Sequence, residues 1–343
     1  NTQTLDVWVF DSKRSKYMDI IHDNAADLSV MNGKTVAVIG YGAQGRAQAL
    51  CMRDSGVNVI IGVRKGKSFD AATQEGFKVM SVSDAAKEAD IIHLLLPDES
   101  HGAVYEGEIK PFLKAGKTLC CSHGFAYVFK TIVPPADVDV IMVAPKGPGT
   151  EVRRVFEEGF GCPGLIAVHQ NPSGKAREVA LAIAKAEGLT RGGVLECTLA
   201  QETYEDLFGE QNVLCGGIVD LMKYGFETLI EAGYPAEMAY FECVHEAKLI
   251  VDLIYNGGIQ RMNAVISNTA EFGEYYNGPF ILPADVKARM KESLKCIESG
   301  KFAKDWLAEA AVGAPNLKAK REALGQHPLE IVGAKIRSLF ERN

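Results

Sequence analysis

The sequence predicts an α/β unit built on a parallel sheet, over residues 1–198, followed by an all-helical unit over 199–343. Three observations predict this. Through the first half, short and nearly continuous apolar runs alternate with segments of helical period, the pattern of a parallel sheet covered on both faces. After Thr198 the prolines thin out and apolar residues recur at helical spacing over long stretches. The length of 343 residues suits two domains at roughly 150 residues each.

The elements follow in order. TVAVI (35–39) is a β-branched run and predicts the first strand. Residues 44–53 have helical spacing, and VNVII (57–61) predicts a second strand. DIIHLLL (90–96), VDVIMV (138–143) and LIAV (165–168) predict three more, and TLCC before His123 is strand-like. Helix-like segments lie at 83–89 and 173–187. Residues 207–231 read as one long helix containing Gly216 and Gly217. Residues 235–256 read as another, with Pro235 at its first turn and Gly257 and Gly258 ending it. The last hundred residues also look helical.

Composition excludes several classes. Apolar types make up 47% and charged types 24%, as in ordinary globular proteins. The formal charge of -7 argues against nucleic-acid binding, which needs basic surface. Apolar runs are broken by Asp220, Asp252 or glycine before they could span a bilayer. The first thirty residues lack the apolar stretch of a signal peptide. Eight cysteines without a CxxC pair suit buried thiols in a reducing compartment, so a cytoplasmic location is expected. The charged residues between Asp11 and Asp23 form an extension to which the sequence gives no role.

Gly40-Tyr41-Gly42-Ala43-Gln44-Gly45 fits GxGxxG directly after a strand and at the start of a helix. In that context the glycines let backbone amides approach a pyrophosphate at the helix N-terminus. The loop after the second strand holds Arg64, Lys65, Lys67 and Ser68 and lacks the acid that would bind a ribose diol. Cations and a hydroxyl suit a 2′-phosphate, so NADPH is expected, with contacts from Arg64, Lys67 and Ser68. A solvated basic loop is the alternative.

The other unusual feature is acidic. Residues 192–222 hold six acids, among them Asp206 and Glu210, and no Lys or Arg. Asp206 and Glu210 are spaced i,i+4, and so are Glu242 and Glu246 in the largely apolar MAYFECVHEAKLIVDLIY. Like charges at that spacing repel, and burying them unpaired costs far more. A bound cation removes both penalties. Carboxylates without an organised Cys or His set describe a hard-ion site, Mg²⁺ or Mn²⁺. The alternative is two solvated acidic faces. His123 follows TLCC at the expected carboxyl edge of the sheet, and Lys146 sits in the rigid APKGPG loop. Either could present a catalytic group or be structural.

These residues resemble the ketol-acid reductoisomerase (acetohydroxy-acid isomeroreductase) family in its short form. The matching segments are GYGAQGRAQAL, LLLPDE, HGF, DVDVIMVAPKGPG, LIAVHQ, DLFGEQNVLCGG, FETLIEAGYPAEMAYFECVHEAKLIVDLIYNGGI and ISNTAEFGEY, in order from about Leu28 to Trp306. The resemblance implies conversion of 2-acetolactate or 2-aceto-2-hydroxybutyrate to 2,3-dihydroxy-3-methylbutanoate or 2,3-dihydroxy-3-methylpentanoate, on the route to valine and isoleucine. It implies NADPH on a Rossmann-type domain and two Mg²⁺ ions per site, on a knotted helical domain. It implies that Asp206 bridges the ions, that Glu210 serves one, and that Glu242 and Glu246 serve the other. His123, Lys146 and Glu246 match catalytic positions, and Ser267 matches a substrate-binding serine. Tyr41 to Gln44, Arg64, Ser68, Asp98 and Gly149 match cofactor contacts. An interwoven homodimer, or a dodecamer of such dimers, is implied, with Glu242, Glu246 and Ser267 facing the neighbour's Asp206.

Some positions depart from the family pattern: Arg46, Ser100-His101, Ala126-Tyr127 and Cys51. Arg46 and His101 flank the expected pyrophosphate, so cofactor affinity is the property they bear on. Two rival readings stand beside the resemblance. A metal-free NADP-dependent hydroxy-acid dehydrogenase leaves the carboxylates unexplained. A catalytically silent NADPH-binding protein has no use for them.

Overall fold

A computed structural model describes residues 18–340 of the chain. They divide into two compact units, with the division between Thr203 and Tyr204.

The first unit is built on eight strands: β1 (Thr35–Ile39), β2 (Asn58–Gly62), β3 (Lys78–Met80), β4 (Ile91–Leu94), β5 (Thr118–Cys121), β6 (Asp139–Pro145), β7 (Gly164–Gln170) and β8 (Val194–Glu196). Their order across the sheet is β3-β2-β1-β4-β5-β6-β7-β8. The helices between them are α1 (Ala43–Asp54), α2 (Lys67–Gln74), α3 (Val82–Glu88), α4 (Asp98–Val104), α5 (Phe125–Val128), α6 (Gly149–Glu157), α7 (Ala176–Ala186) and α8 (Leu189–Gly192). Alternate residues of the central strands feed two separate apolar layers. Val36, Val38, Ile61 and Ile141 join α1 and α7 on one face, while Ala37, Ile39, Ile92 and Leu119 join α3 on the other. Burial on both faces is why these strands read as continuous apolar runs. Strand order reverses between β1 and β4, the position where open α/β sheets bind ligands.

One strand departs from the expected parallel arrangement. β7 runs antiparallel to β6, with Gly164 opposite Pro145. The intervening α6 packs on α1 instead of crossing a face of the sheet, so the chain re-enters from the end it left. β3 and β8 are three residues each, too short to be read from pattern. Ile21 bridges Val194 through paired backbone hydrogen bonds of 2.8 and 2.9 Å, so the end of the charged extension lies along β8. Residues 11–17 of that extension lie outside the described residues.

The second unit is helical. α9 (Leu199–Gly209) leads into a π-helical turn, Glu210–Leu214, and then α10 (Gly217–Glu231). The expected single helix over 207–231 therefore begins earlier and carries a wide turn. The two glycines explain it: a Cβ on Gly216 or Gly217 would collide with the carbonyl five residues back, of Gln211 or Asn212. α11 (Ala236–Tyr240) passes through a second π-helical turn, Phe241–His245, into α12 (Glu246–Val265). Gly258, at φ 77° and ψ 174°, breaks the latter where the Gly pair was expected to end it. α13 (Asn268–Ile281), α14 (Ala284–Glu298), α15 (Lys301–Ala311), α16 (Pro315–Gly325) and α17 (Pro328–Ser338) complete the unit. Its own core is small, centred on Phe226, Ala239, Tyr240 and Ile336. Tyr255 is 85% exposed, Phe280 78%, Tyr276 71% and Phe272 68%. Among the described residues, no helix is long and apolar enough to cross a membrane.

Candidate active site

The loop after β1 explains its glycines one at a time. Gly40 has φ +101°, and a Cβ there would run into the backbone of Leu95, just past the end of β4, its carbonyl carbon 2.9 Å away. Gly45 lies against the Gly40 carbonyl. Gly42 is different: nothing lies within 4 Å of where its Cβ would be. That open space adjoins the N-terminus of α1, where backbone N–H groups and the helix dipole favour an anion. A dinucleotide's pyrophosphate fits this cradle. Gly149, the first residue of α6, abuts the backbone of Ala43 and Gln44. Gln44 Nε2 donates to the Gly147 carbonyl at 2.9 Å, so the loops after β1 and β6 are tied together.

The flanking residues have assigned places. Tyr41 is buried, its ring edge-on to Phe77 at 5.8 Å and its hydroxyl donating to Glu75. Burial, and then the Glu75 carboxylate, push the phenol well above its ordinary value. Arg46 Nε binds Glu75 at 2.8 Å. His101 is buried, with Nε2 2.8 Å from the Leu96 carbonyl oxygen. Neither departure from the family pattern is thus a loose charge at the phosphate cradle. Arg64, Lys65, Lys67 and Ser68 are exposed after β2, where Gly66 (φ +143°) turns the chain into α2. Among the described residues these three cations form no ion pair. Asp98 is in the first turn of α4, beyond the end of β4.

A second cluster forms at the ends of β5 and β6, which are neighbours in the sheet. Glu202, in the α9 segment belonging to this unit, is 1% exposed. Its Oε1 accepts from Lys146 Nζ at 2.8 Å, and its Oε2 lies 3.1 Å from His123 Nδ1. The Gly124 N–H donates to the same Oε2 at 3.3 Å. Gly124 has to be glycine, because a Cβ would collide with Thr203 Oγ1 and press on the Leu199 carbonyl at 3.0 Å. Burial raises the Glu202 carboxyl, but the His123 ring and the Lys146 ammonium together hold it below its ordinary value. One buried carboxylate thus fixes a histidine and a lysine side by side, and Nε2 remains as the ring's other proton site. Sequence reasoning missed this role for Glu202. It counted the residue only within an acidic run, and the partners lie 79 and 56 positions away.

In the helical unit Asp206 is half-buried on α9, and Glu210 is exposed at the start of the first π-helical turn. Glu242 lies inside the second such turn and Glu246 begins α12, both exposed. π-Helical turns recur at functional sites because they re-aim side chains. Four oxygen donors suit a hard divalent cation. Among the described residues, however, no three of these carboxylates gather closely enough to share an ion. The expected burial of Glu242 and Glu246 is also not met: their apolar neighbours Leu249, Val251, Ile254 and Tyr255 are themselves exposed, because these positions face away from the unit's small core. Ser267 caps α13, its Oγ accepting from Ala270 N–H at 3.1 Å.

Comparison with known proteins assigns both units. The family model described as acetohydroxy acid isomeroreductase, NADPH-binding domain, matches residues 30–193. That described as ketol-acid reductoisomerase, C-terminal domain, matches residues 199–342. A ketol-acid reductoisomerase (NADP(+)) of Akkermansia muciniphila is 91% identical over 326 residues, covering 95% of this chain and 100% of the relative. A ketol-acid reductoisomerase (NAD(+)) of an uncultured archaeon is 60% identical, covering 94% of this chain and 99% of the relative. A solved structure of an NADH-preferring ketol-acid reductoisomerase from an uncultured archaeon has a TM-score of 0.93 at 60% identity, covering 95% of this chain and 100% of that one. With both units matched in order and nearly the whole length covered, the chain belongs to the ketol-acid reductoisomerase family.

Proposed function

We infer that this chain converts 2-acetolactate or 2-aceto-2-hydroxybutyrate to the corresponding 2,3-dihydroxy acid, by alkyl migration between adjacent carbons and then reduction with NADPH. The observation that carries the reading is the Glu202 carboxylate joining His123 and Lys146 at the same sheet edge as the phosphate cradle. In this reading residues 1–198 bind the nucleotide and residues 199–343 carry the metal and substrate groups. Gly40 to Gly45, Asp98 and Gly149 shape the cradle, while Arg64, Lys67 and Ser68 face the 2′-phosphate. Lys146, salt-bridged to Glu202, donates a proton to the oxygen that becomes the new alcohol. Glu246 accepts the proton of the tertiary hydroxyl. Ser267 already accepts from Ala270 N–H, so its own O–H is directed to the substrate carboxylate. Asp206, Glu210, Glu242 and Glu246 would hold two Mg²⁺ ions, which when bound supply Lewis acidity toward the substrate oxygens.

Among the described residues no three of the four carboxylates lie close enough to share an ion, and the helical unit leaves Tyr255, Phe272, Tyr276 and Phe280 exposed. An interwoven homodimer accounts for both, with Glu242, Glu246 and Ser267 of one chain completing the Asp206 and Glu210 site of the other. Larger assemblies of such dimers, up to a dodecamer, use the same interface. The free cysteines suit a reducing compartment such as the cytoplasm.

The test follows NADPH absorbance with racemic 2-acetolactate, with Mg²⁺ and again with excess chelator. Turnover that requires Mg²⁺ and is abolished by Glu242→Gln supports the reading. Undiminished turnover in chelator overturns the metal assignment. NADH as the preferred reductant is a second reading, favoured by the 60%-identical NAD(+) relative. The ratio of kcat/KM for the two nucleotides decides it.

A further inference from the structure

One apolar layer of the sheet is interrupted at its centre by polar side chains that the reaction above does not use. His93, on β4, is fully buried between Val38 of β1 and Cys120 of β5. Glu187, just after α7, and Gln48, on α1, are buried beside it. The groups form a line. Gln44 Nε2 donates to the Gly147 carbonyl at 2.9 Å, and Gln48 Nε2 donates to Gln44 Oε1 at 3.1 Å. Ser122 Oγ donates to Gln48 Oε1 at 3.2 Å and lies 3.2 Å from His93 Nε2. His93 Nδ1 is 4.0 Å from Glu187 Oε1, a gap that a small rotation or one buried water closes.

One end of this line is at the ligand edge. Gln44 is in the phosphate loop, Ser122 precedes His123, and Gly147 follows Lys146. The other end is sealed in the core, where His93 Nδ1 and both Glu187 oxygens have no hydrogen-bond partner. Such groups are expensive in an apolar layer, so their presence calls for a return elsewhere. We propose that His93 and Glu187 are positioning residues for the nicotinamide nucleotide: through Ser122, Gln48 and Gln44 they hold the loops after β1, β5 and β6 in the arrangement it binds. The proposal rests on the reading that the phosphate loop takes NADPH.

One proton order runs through the whole line. If Ser122 donates to Gln48, then His93 Nε2–H donates to Ser122, and the bare Nδ1 faces a protonated Glu187. Burial favours this state, since it raises the Glu187 carboxyl well above its ordinary value and lowers the His93 imidazole to about 3. The donors from His93 through Ser122 and Gln48 to Gln44 then run from the core toward the ligand edge, with Gln48 Nε2 also within 3.1 Å of Ser122 Oγ as a second contact between those two side chains, and bonds in such a chain strengthen one another.

The experiment titrates NADPH into the full-length protein by fluorescence, without substrate, alongside thermal melts. His93→Leu cuts the line and should weaken NADPH binding about tenfold, the loss of one net hydrogen bond, without lowering Tm. Glu187→Gln keeps a donor toward Nδ1 and should bind NADPH as the wild type does. Ser122→Ala cuts the line at a partly exposed residue and should repeat the loss even if His93→Leu does not fold. A purely structural role predicts unchanged NADPH affinity in both cut variants, and that result overturns the proposal. So does Glu187→Gln binding as weakly as His93→Leu. A wild-type protein that binds no NADPH overturns the underlying reading as well, and is recognised in the wild-type titration itself.

Discussion

Replacing Glu202 by glutamine keeps its shape and removes its charge. The carboxylate accepts from Lys146, His123 and Gly124 at 2.8, 3.1 and 3.3 Å. An amide oxygen can keep one or two of these bonds, but the amide nitrogen then faces a donor. A hydrogen bond to a charged partner contributes about 1.5–3 kcal/mol net. The Lys146 side chain is 33% exposed, so solvent screening puts its share at the low end. Relief of the carboxylate's own desolvation offsets part of the loss, leaving a destabilisation of about 2 kcal/mol. At about 2–4 °C per kcal/mol for a unit of this size, Tm falls by about 4–8 °C. The pH dependence has a definite sign. The folded-state carboxyl titrates below its ordinary 4.5, so its stabilisation is complete above 4.5 and is lost as pH falls through the lower folded value. The variant has no such group to lose. Melts of both proteins without nucleotide should show the full gap at neutral pH and a shrinking one as pH falls below the ordinary carboxyl value of 4.5. Turnover should fall on the order of a hundredfold. A gap that is absent at neutral pH, or that ignores pH, refutes the reasoning.

Three further predictions concern other parts of the molecule. Gly149→Ala puts a Cβ 2.5 Å from the Ala43 carbonyl carbon and 2.8 Å from Gln44 N, both backbone atoms; it should cost about 1–3 kcal/mol in denaturant melts and weaken NADPH binding in titrations. Arg64→Ala combined with Ser68→Asp should raise KM for NADPH more than about tenfold while leaving KM for NADH nearly unchanged, because only the 2′-phosphate loses its partners. Phe280→Asp places a charge on the apolar face of the helical unit and should shift the light-scattering mass toward a single chain, with turnover lost in parallel.

The central strands were legible because burial on both faces leaves no alternative to apolar residues at Val36, Ile39, Ile92 and Val140. β3 and β8 were not, since three-residue edge strands carry too little pattern, and the reversal of β7 depends on where α6 packs. The glycine loop was legible because Gly40 and Gly45 answer to backbone collisions that the GxGxxG motif encodes. The carboxylate pairs were found from spacing, but their exposure was not: apolar flanks signal burial without saying against what. Glu202 escaped because its importance lies in three contacts made across the fold, and nothing in its neighbourhood sets it apart from Glu205.

The two π-helical turns make the helical unit sensitive to the length of its sequence as much as to its composition. Each holds one residue more than an α-helical turn needs, so deleting a single residue, such as Val244, would let the helix tighten and form better-aligned hydrogen bonds. The helix beyond would keep nearly the same side, since the wide turn already absorbs the extra residue, but Glu242 and Glu246 would go from four positions apart to three and so be aimed differently relative to each other. Such a deletion would trade chemistry for a more regular helix. Shortened relatives should therefore keep both turns at full length and lose their residues in loops.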